Sequence, residues 1–276
     1  MARTRFRLSF DLLEVSAVAL LAALAGLWYS TRPPLHHVEA IPLVERYGQE
    51  ERRTAGYEEW IVRDFFGDQR GGVFVDIGAA TPKWHSNTWW LETQQGWSGI
   101  AVDAIQEYGA AYAAERPRTR FRSYFVSDRS GELVPFTYVP ELSLVSSADE
   151  AFAKDFGKET VTRHVPTITL TELLDREGIG RLDFLTIDIE LAEPKALAGF
   201  DIERFRPRLV CIEAHAETRQ FILDYFASHG YVLVGQYLRI DPLNVYFRPL
   251  TAAAPDGPAA AASGVVAAGS ASRGRK

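Results

Sequence analysis

The 276-residue sequence contains one cysteine, Cys211. A single thiol excludes an internal disulfide and leaves no basis for a cysteine-built zinc cluster. Its place in the apolar run at 209–212 reads as a buried, inert side chain. There is no stripe of basic residues either. Acids and bases are interspersed and the formal net charge is −6, so nucleic acid is not expected as a partner. The strict G-x-G-x-x-G fingerprint is missing, because Ala80 and Lys83 stand in the later glycine slots after Gly78. A P-loop lysine is missing too. With neither pyrophosphate cradle present, NAD and ATP are poor candidates. The uninterrupted apolar stretch at 17–29 is shorter than the roughly 20 residues that span a bilayer. Extending it back to Phe10 gives the length but takes in Asp11 and Glu14.

What is present near the N-terminus is Arg3, Arg5 and Arg7 ahead of an Ala/Leu-rich run, with Trp28 and Tyr29 where an interfacial aromatic belt would stand. Residues 1–30 therefore read as a membrane anchor. A cleaved signal ending near Ala23-Leu24-Ala25, or a helix packed on the domain, are the other readings. The leading arginines favour an inside N-terminus, which would place the domain outside the cytoplasm, and Arg32 and Arg46 on the far side weaken that bias and leave the orientation open. A nucleotide-type cofactor is cytosolic. The expectation is thus a membrane-associated protein with its catalytic domain on the cytoplasmic side, with a soluble cytoplasmic protein as the alternative. Residues 31–45, with Pro33-Pro34, read as a linker and 46–250 as the catalytic domain. The Ala/Gly/Ser/Pro-rich stretch 251–276 lacks the apolar bulk to fold.

The domain is organised around VFVDIGAA at 73–80. An apolar β-rich run that breaks at a small-residue turn reads as a buried parallel strand. Gly78 would let a ligand approach the backbone. A helix follows, capped by Ser86 and running through Trp89, Trp90 and Leu91 to Gly96. GIAV at 99–102 is a second strand ending at Asp103, placed to accept hydrogen bonds from ribose hydroxyls, or simply to cap the helix beginning near Gln106. Residues 120–126 read as a third strand and 132–139 as a further antiparallel one. The polar stretch 141–162 reads as a lid or a surface insertion. Thr169 caps a helix ending near Gly178. DFLTIDI at 183–189 is a fourth parallel strand, and 209–212 a fifth, leading to Glu213 and His215 on one face. Residues 218–229 form an amphipathic helix using Phe221, Ile222, Tyr225 and Phe226. A closing strand pair follows at 231–234 and 245–247.

Repeated strand–helix units imply an α/β domain with a mostly parallel sheet, and Asp76, Asp103 and Asp188 then meet at one sheet edge. Acids at those positions suit an adenosine cofactor without a phosphate. S-adenosylmethionine fits, with its ribose at Asp103 and its cationic end over the Gly78 turn. Methyl transfer to a hydroxyl needs a proton acceptor. His215 is the first candidate, or a structural strand-end histidine, with Asp188 and Glu213 next. Asp188, Glu190 and His215 could hold a divalent ion, but four good ligands are not evident, so no metal is expected.

Taken in order, FVDIGA at 74–79, SNTWWLE at 86–92, GWSGIAVD at 96–103, FVSDRSGE at 125–132 and TLTELLDREGIGRLDFLTIDIE at 169–190 resemble the FkbM-type methyltransferases, over about 71–247. The resemblance implies a three-layer, Rossmann-like class I methyltransferase fold, S-adenosylmethionine as cofactor and methylation of oxygen. It implies that Asp76, Gly78 and Ala79 form the cofactor loop and that Asn87 sits at its rim. Asp103 would hold the ribose, Ser127 and Asp128 would lie near the adenine, and Asp188 and Glu190 would border the transferred methyl. Two departures stand out. The family usually has glutamate at the Asp103 position and glycine at the Leu191 position. The expected activity is methylation of a hydroxyl on a glycan, a lipid-linked sugar or a secondary metabolite. The alternatives are a non-catalytic, membrane-tethered binding protein and another nucleotide-cofactor enzyme on a similar sheet.

Overall fold

The computed structural model describes residues 39–138, 146–147 and 160–251. The expected anchor, the C-terminal tail beyond Thr251 and most of the expected lid lie outside the described residues. Among the described residues no helix is long and apolar enough to cross a membrane.

The described chain begins with two helices, α1 (Ile41–Tyr47) and α2 (Glu58–Phe66). Residues 41–45 of the expected linker are thus helical. Pro42 fits the first turn of α1, where its missing N–H costs nothing, and Leu43 and Tyr47 are buried. Next come β1 (Val73–Ile77), α3 (Trp89–Gln95), β2 (Ser98–Asp103), α4 (Tyr108–Glu115) and β3 (Thr119–Ser123). Short strands β4 (Phe125–Val126), β5 (Leu133–Tyr138), β6 (Ser146–Ser147) and β7 (Val161–Ile168) follow. The chain continues with α5 (Leu170–Arg176), β8 (Phe184–Ile187), α6 (Glu193–Ala198), α7 (Ile202–Phe205) and β9 (Leu209–Glu213). It closes with α8 (Arg219–Ser228), β10 (Tyr231–Leu233) and β11 (Asn244–Pro249).

Seven strands form the main sheet in the order β10-β11-β9-β8-β1-β2-β3. The run from β9 to β3 is parallel, and β11 joins it antiparallel between β9 and β10. Strand side chains alternate between faces, and both faces are apolar, as a sheet covered on two sides requires. Val75, Ile77, Leu185, Ile187, Val210 and Ile212 pack with Leu173, Leu197, Ile222 and Phe226 of α5, α6 and α8. Phe74, Phe184, Leu209 and Cys211 pack on the opposite face with Leu43, Trp60, Ile61 and Phe66 of α1 and α2. The result is three layers, with Cys211 buried as its sequence context implied.

Three expectations are corrected here. The strand expected over 120–126 breaks at Tyr124. β3 pairs with β2 in the main sheet, whereas β4 leaves it and pairs with β7. A second sheet, β4-β7-β5-β6, was not foreseen, and β7 occupies residues partly assigned to the lid. Phe221 faces solvent, 46% exposed, while Ile222 and Phe226 are fully buried. The 3.6-residue period carries only one side of α8 to the core.

Candidate active site

Crossovers on both sides of the sheet bring the carboxyl ends of β1, β2 and β8 together, and a cavity of about 300 Å³ opens there. Gly78 turns the chain at φ 81°, and its N–H and that of Ala79 both reach the Val102 carbonyl, at 2.9 and 3.1 Å. A Cβ on Gly78 would sit 1.7 Å from the Asp188 carbonyl oxygen. Bare backbone at this point is therefore required by the neighbouring strand end as much as by any ligand.

Asp103 stands at the end of β2 and lines the cavity. Its Oδ2 accepts the Ala80 N–H at 2.9 Å and its Oδ1 accepts the Ile105 N–H at 2.8 Å. It therefore ties the β1 turn to the start of the next crossover, and each oxygen keeps a further lone pair for a ligand hydroxyl. Burial pushes the Asp103 carboxyl up to about 6, against the two N–H donors. Asn87 forms part of the wall and donates to Thr186 Oγ1 on β8 at 3.1 Å. Asp188 and Glu190 border the same cavity.

The other expected site residues sit elsewhere. Asp76 is buried beneath the cavity, not on its wall, and accepts the Thr88 hydroxyl at 2.8 Å. Burial raises it to about 6. Its contact orders the start of α3, where Ser86 Oγ also accepts the Trp89 N–H at 3.1 Å. Ala79 is buried against Tyr112 and Ala101. Ser127 and Asp128 do not line the cavity. Pairing of β4 with β7 carries Ser127 past it, and Tyr124, Phe125 and Val126 form that wall instead, with Phe136 from the second sheet.

His215 and Glu213, expected beside the reacting atoms, stand one row back and do not line the cavity. His215 Nε2 lies 3.0 Å from Glu213 Oε2 and 3.4 Å from Glu190 Oε2. Glu213 hydrogen-bonds Asp188. Burial, then the Asp188 and Glu190 charges, push Glu213 up to about 10, so it holds the proton of that pair. Asp188 is open to the cavity and is itself raised by the protein walls around it. Glu190 is raised to about 8 by burial and the Asp188 charge.

Sequence reasoning missed Glu58 and Asn244, which close the far wall. Asn244 Nδ2 reaches Glu58 Oε1 at 3.4 Å and Asp241 Oδ2 at 3.1 Å. No motif marks them, since they meet only when α2 packs beside β11. Among the described residues, the lining thus holds Asp103, Asp188, Glu190 and Glu58 and no lysine or arginine. A pyrophosphate would meet carboxylates here, whereas a cationic ligand is favoured. The bare Gly78 turn and this acidic lining both fit S-adenosylmethionine.

The turn after β8 shows why glycine would suit the Leu191 position. Glu190 and Leu191 adopt φ 51° and 74°, the left-handed region that costs a side-chain-bearing residue roughly 1–2 kcal/mol. Leu191→Gly is expected to relieve more strain than the ~0.5–1 kcal/mol it adds in unfolded-chain entropy. A rise in Tm of about 1–3 °C is expected by thermal denaturation. A fall would mean that Leu191 packing outweighs the strain.

Among solved structures, the chain is similar to a proposed RNA methyltransferase from Pyrococcus horikoshii, at 14% identity and TM-score 0.36, covering 70% of this chain and 82% of that one. It is also similar to a TehB-like S-adenosylmethionine-dependent methyltransferase from Corynebacterium glutamicum, at 12% identity and TM-score 0.41, covering 78% of this chain and 97% of that one. Superpositions this loose carry no weight in the assignment. No curated protein matches the chain. The methyltransferase FkbM domain matches residues 76–233, from the β1 aspartate through β10, and so takes in the Gly78 turn, Asp103 and the Asp188–His215 cluster. The chain belongs to the FkbM family of S-adenosylmethionine-dependent methyltransferases.

Proposed function

We propose that the protein methylates a hydroxyl of a glycan, a lipid-linked sugar or a secondary metabolite, on a class I methyltransferase fold. The observation that carries this reading is the acidic side of the cavity, where Asp188 and Glu190 are exposed to whatever binds there. Hydroxyl methylation needs a group to receive the acceptor proton. Bound in this cavity, S-adenosylmethionine supplies an electrophilic methyl on a sulfonium.

In this reading Asp103 holds the ribose hydroxyls, Asn87 and the Gly78 turn set the depth of the site, and Asp188 takes the acceptor proton. Glu213, keeping its own proton and hydrogen-bonded to Asp188, leaves the negative charge on Asp188. The protein walls around Asp188 raise it above the ordinary aspartate range and make it a stronger base than a surface aspartate. The acceptor enters past His85, and the adjoining Trp84, 50% exposed, offers an indole to a sugar ring. Residues 1–30 would hold the enzyme at a membrane, with the domain on the cytoplasmic side where the cofactor is made. The aromatic pair supports the membrane contact, and the cytosolic cofactor supports the cytoplasmic side against the bias of the leading arginines.

The test is transfer of labelled methyl from S-adenosylmethionine by the full chain to a panel of sugars, polyprenyl-linked sugars and phenolic metabolites. Label on an acceptor oxygen is expected. Asp188→Asn should cut turnover by about 10²–10⁴-fold and change cofactor affinity far less. Transfer to nitrogen or carbon, or a fully active Asp188→Asn, would overturn the reading.

A further inference from the structure

We propose that Glu190, Glu213 and His215 form a site for one divalent first-row transition-metal ion, directly behind the cavity wall at Glu190. The three side chains come from different places. Glu213 ends β9, His215 follows it by two residues, and Glu190 reaches them because the chain after β8 turns through two left-handed residues. One ligand atom from each lies within 4.8 Å of the others.

The spacings match a coordination shell. Ligand atoms at right angles and about 2.1–2.4 Å from one ion stand about 3.0–3.4 Å apart. The imidazole Nε2 is 3.0 Å from Glu213 Oε2 and 3.4 Å from Glu190 Oε2.

An independent observation points the same way. Glu213 is nine-tenths buried, and its Oε2 accepts no hydrogen bond among the described residues although it is aimed at the imidazole. Leaving a buried carboxylate oxygen unsatisfied costs about 1–3 kcal/mol or more, and a cation between Oε2 and Nε2 would remove that cost. The surroundings are also short of positive charge. Among the described residues, no lysine or arginine ion pair is made by Asp188, Glu193 or Glu213. An imidazole beside carboxylates favours manganese or zinc over calcium, which prefers an all-oxygen shell. Asp188 still faces the cavity. Polarisation of an acceptor hydroxyl by the ion would rest on the methylation reading above. Ion binding measured without any acceptor is separable from it.

The experiment uses the full chain, freed of metal by chelation and titrated with Mn²⁺, with free ion followed by electron paramagnetic resonance. One saturable equivalent is expected, displaced by Zn²⁺ and resisted by a large excess of Ca²⁺. Glu213→Gln and His215→Ala should each weaken Mn²⁺ at least tenfold, by loss of a direct ligand. Circular dichroism and S-adenosylmethionine titration report whether each variant is folded, and Glu190→Gln gives the same reading from the other strand end. Absence of saturable Mn²⁺ binding at millimolar concentration overturns the proposal. So does unchanged affinity in folded variants, which would place the ion elsewhere.

Discussion

Gly78→Ala is expected to abolish S-adenosylmethionine binding and to destabilise the domain. The residue sits at φ 81°, and the new Cβ would lie 1.7 Å from the Asp188 carbonyl oxygen and 2.8 Å from its carbon. Both obstacles are backbone, so no side-chain rotation relieves them. Nor can Asp188 move freely, because its N–H bonds the Ile77 carbonyl at 3.0 Å and continues the pairing of β1 with β8. Left-handed strain and overpacking together put the loss at about 2–5 kcal/mol. Chemical denaturation measures the stability and calorimetric titration the affinity. Any shift that accommodates the methyl must displace Asp188 or the turn, and both border the cofactor cavity. A stable variant with wild-type affinity would show that the cofactor does not approach this turn.

The second large effect is expected far from any motif. Arg116 at the end of α4 is fully buried. Its Nε meets Glu92 Oε2 at 2.5 Å, its Nη1 donates to the Pro82 carbonyl at 2.7 Å, and its Nη2 donates to the Thr88 carbonyl at 3.1 Å and to Thr88 Oγ1 and Thr119 Oγ1, each at 3.2 Å. Glu92 is as deeply buried and also accepts the Thr119 hydroxyl. Arg116→Met leaves that carboxylate without its counter-charge, a change that costs about 3–5 kcal/mol for a buried pair. The loop from Pro82 to Thr88 also loses its anchor. Because His85 and Asn87 on this loop line the cavity, cofactor affinity should fall along with Tm. Adding Glu92→Gln should recover much of the stability, since the uncompensated charge is then gone. It should recover less of the affinity, because the loop carbonyls still lack their donor. Equal stability of the single and double variants would show that the pair is not the source of the cost.

Both residues bear on how much of this protein can be read without coordinates. Gly78 is conspicuous in sequence because a turn after a buried strand is a local event, governed by the residues on either side. Thr169 capping α5, with its hydroxyl accepting the Glu172 N–H, and Pro194 in the first turn of α6 are local in the same sense. Arg116 gave no signal. An arginine just before Pro117 reads as a solvent-exposed helix end, and only the packing of α3 beside α4 supplies a buried carboxylate opposite it. The second sheet was hidden for a similar reason. β4 is two residues long, and its partner β7 lies 35 or more positions onward, so the pairing that removes Ser127 and Asp128 from the cavity wall is a long-range choice.

The sequence by itself determined the strand–helix alternation, the buried parallel core, the glycine turn and the acidic strand ends at Asp103 and Asp188. Each follows from side-chain periodicity or backbone preference within a few residues. Tertiary structure alone decided which acids face a ligand and which are buried beneath it. Asp76 and Asp103 look alike at the ends of adjacent strands, yet one points under the turn to Thr88 and the other into the cavity. The placement of His215 behind Glu190 was decided the same way. It depends on two left-handed residues after β8 and on the β8–β9 pairing that brings the two strand ends side by side. Pairing between strands sets those distances, and no local propensity encodes them.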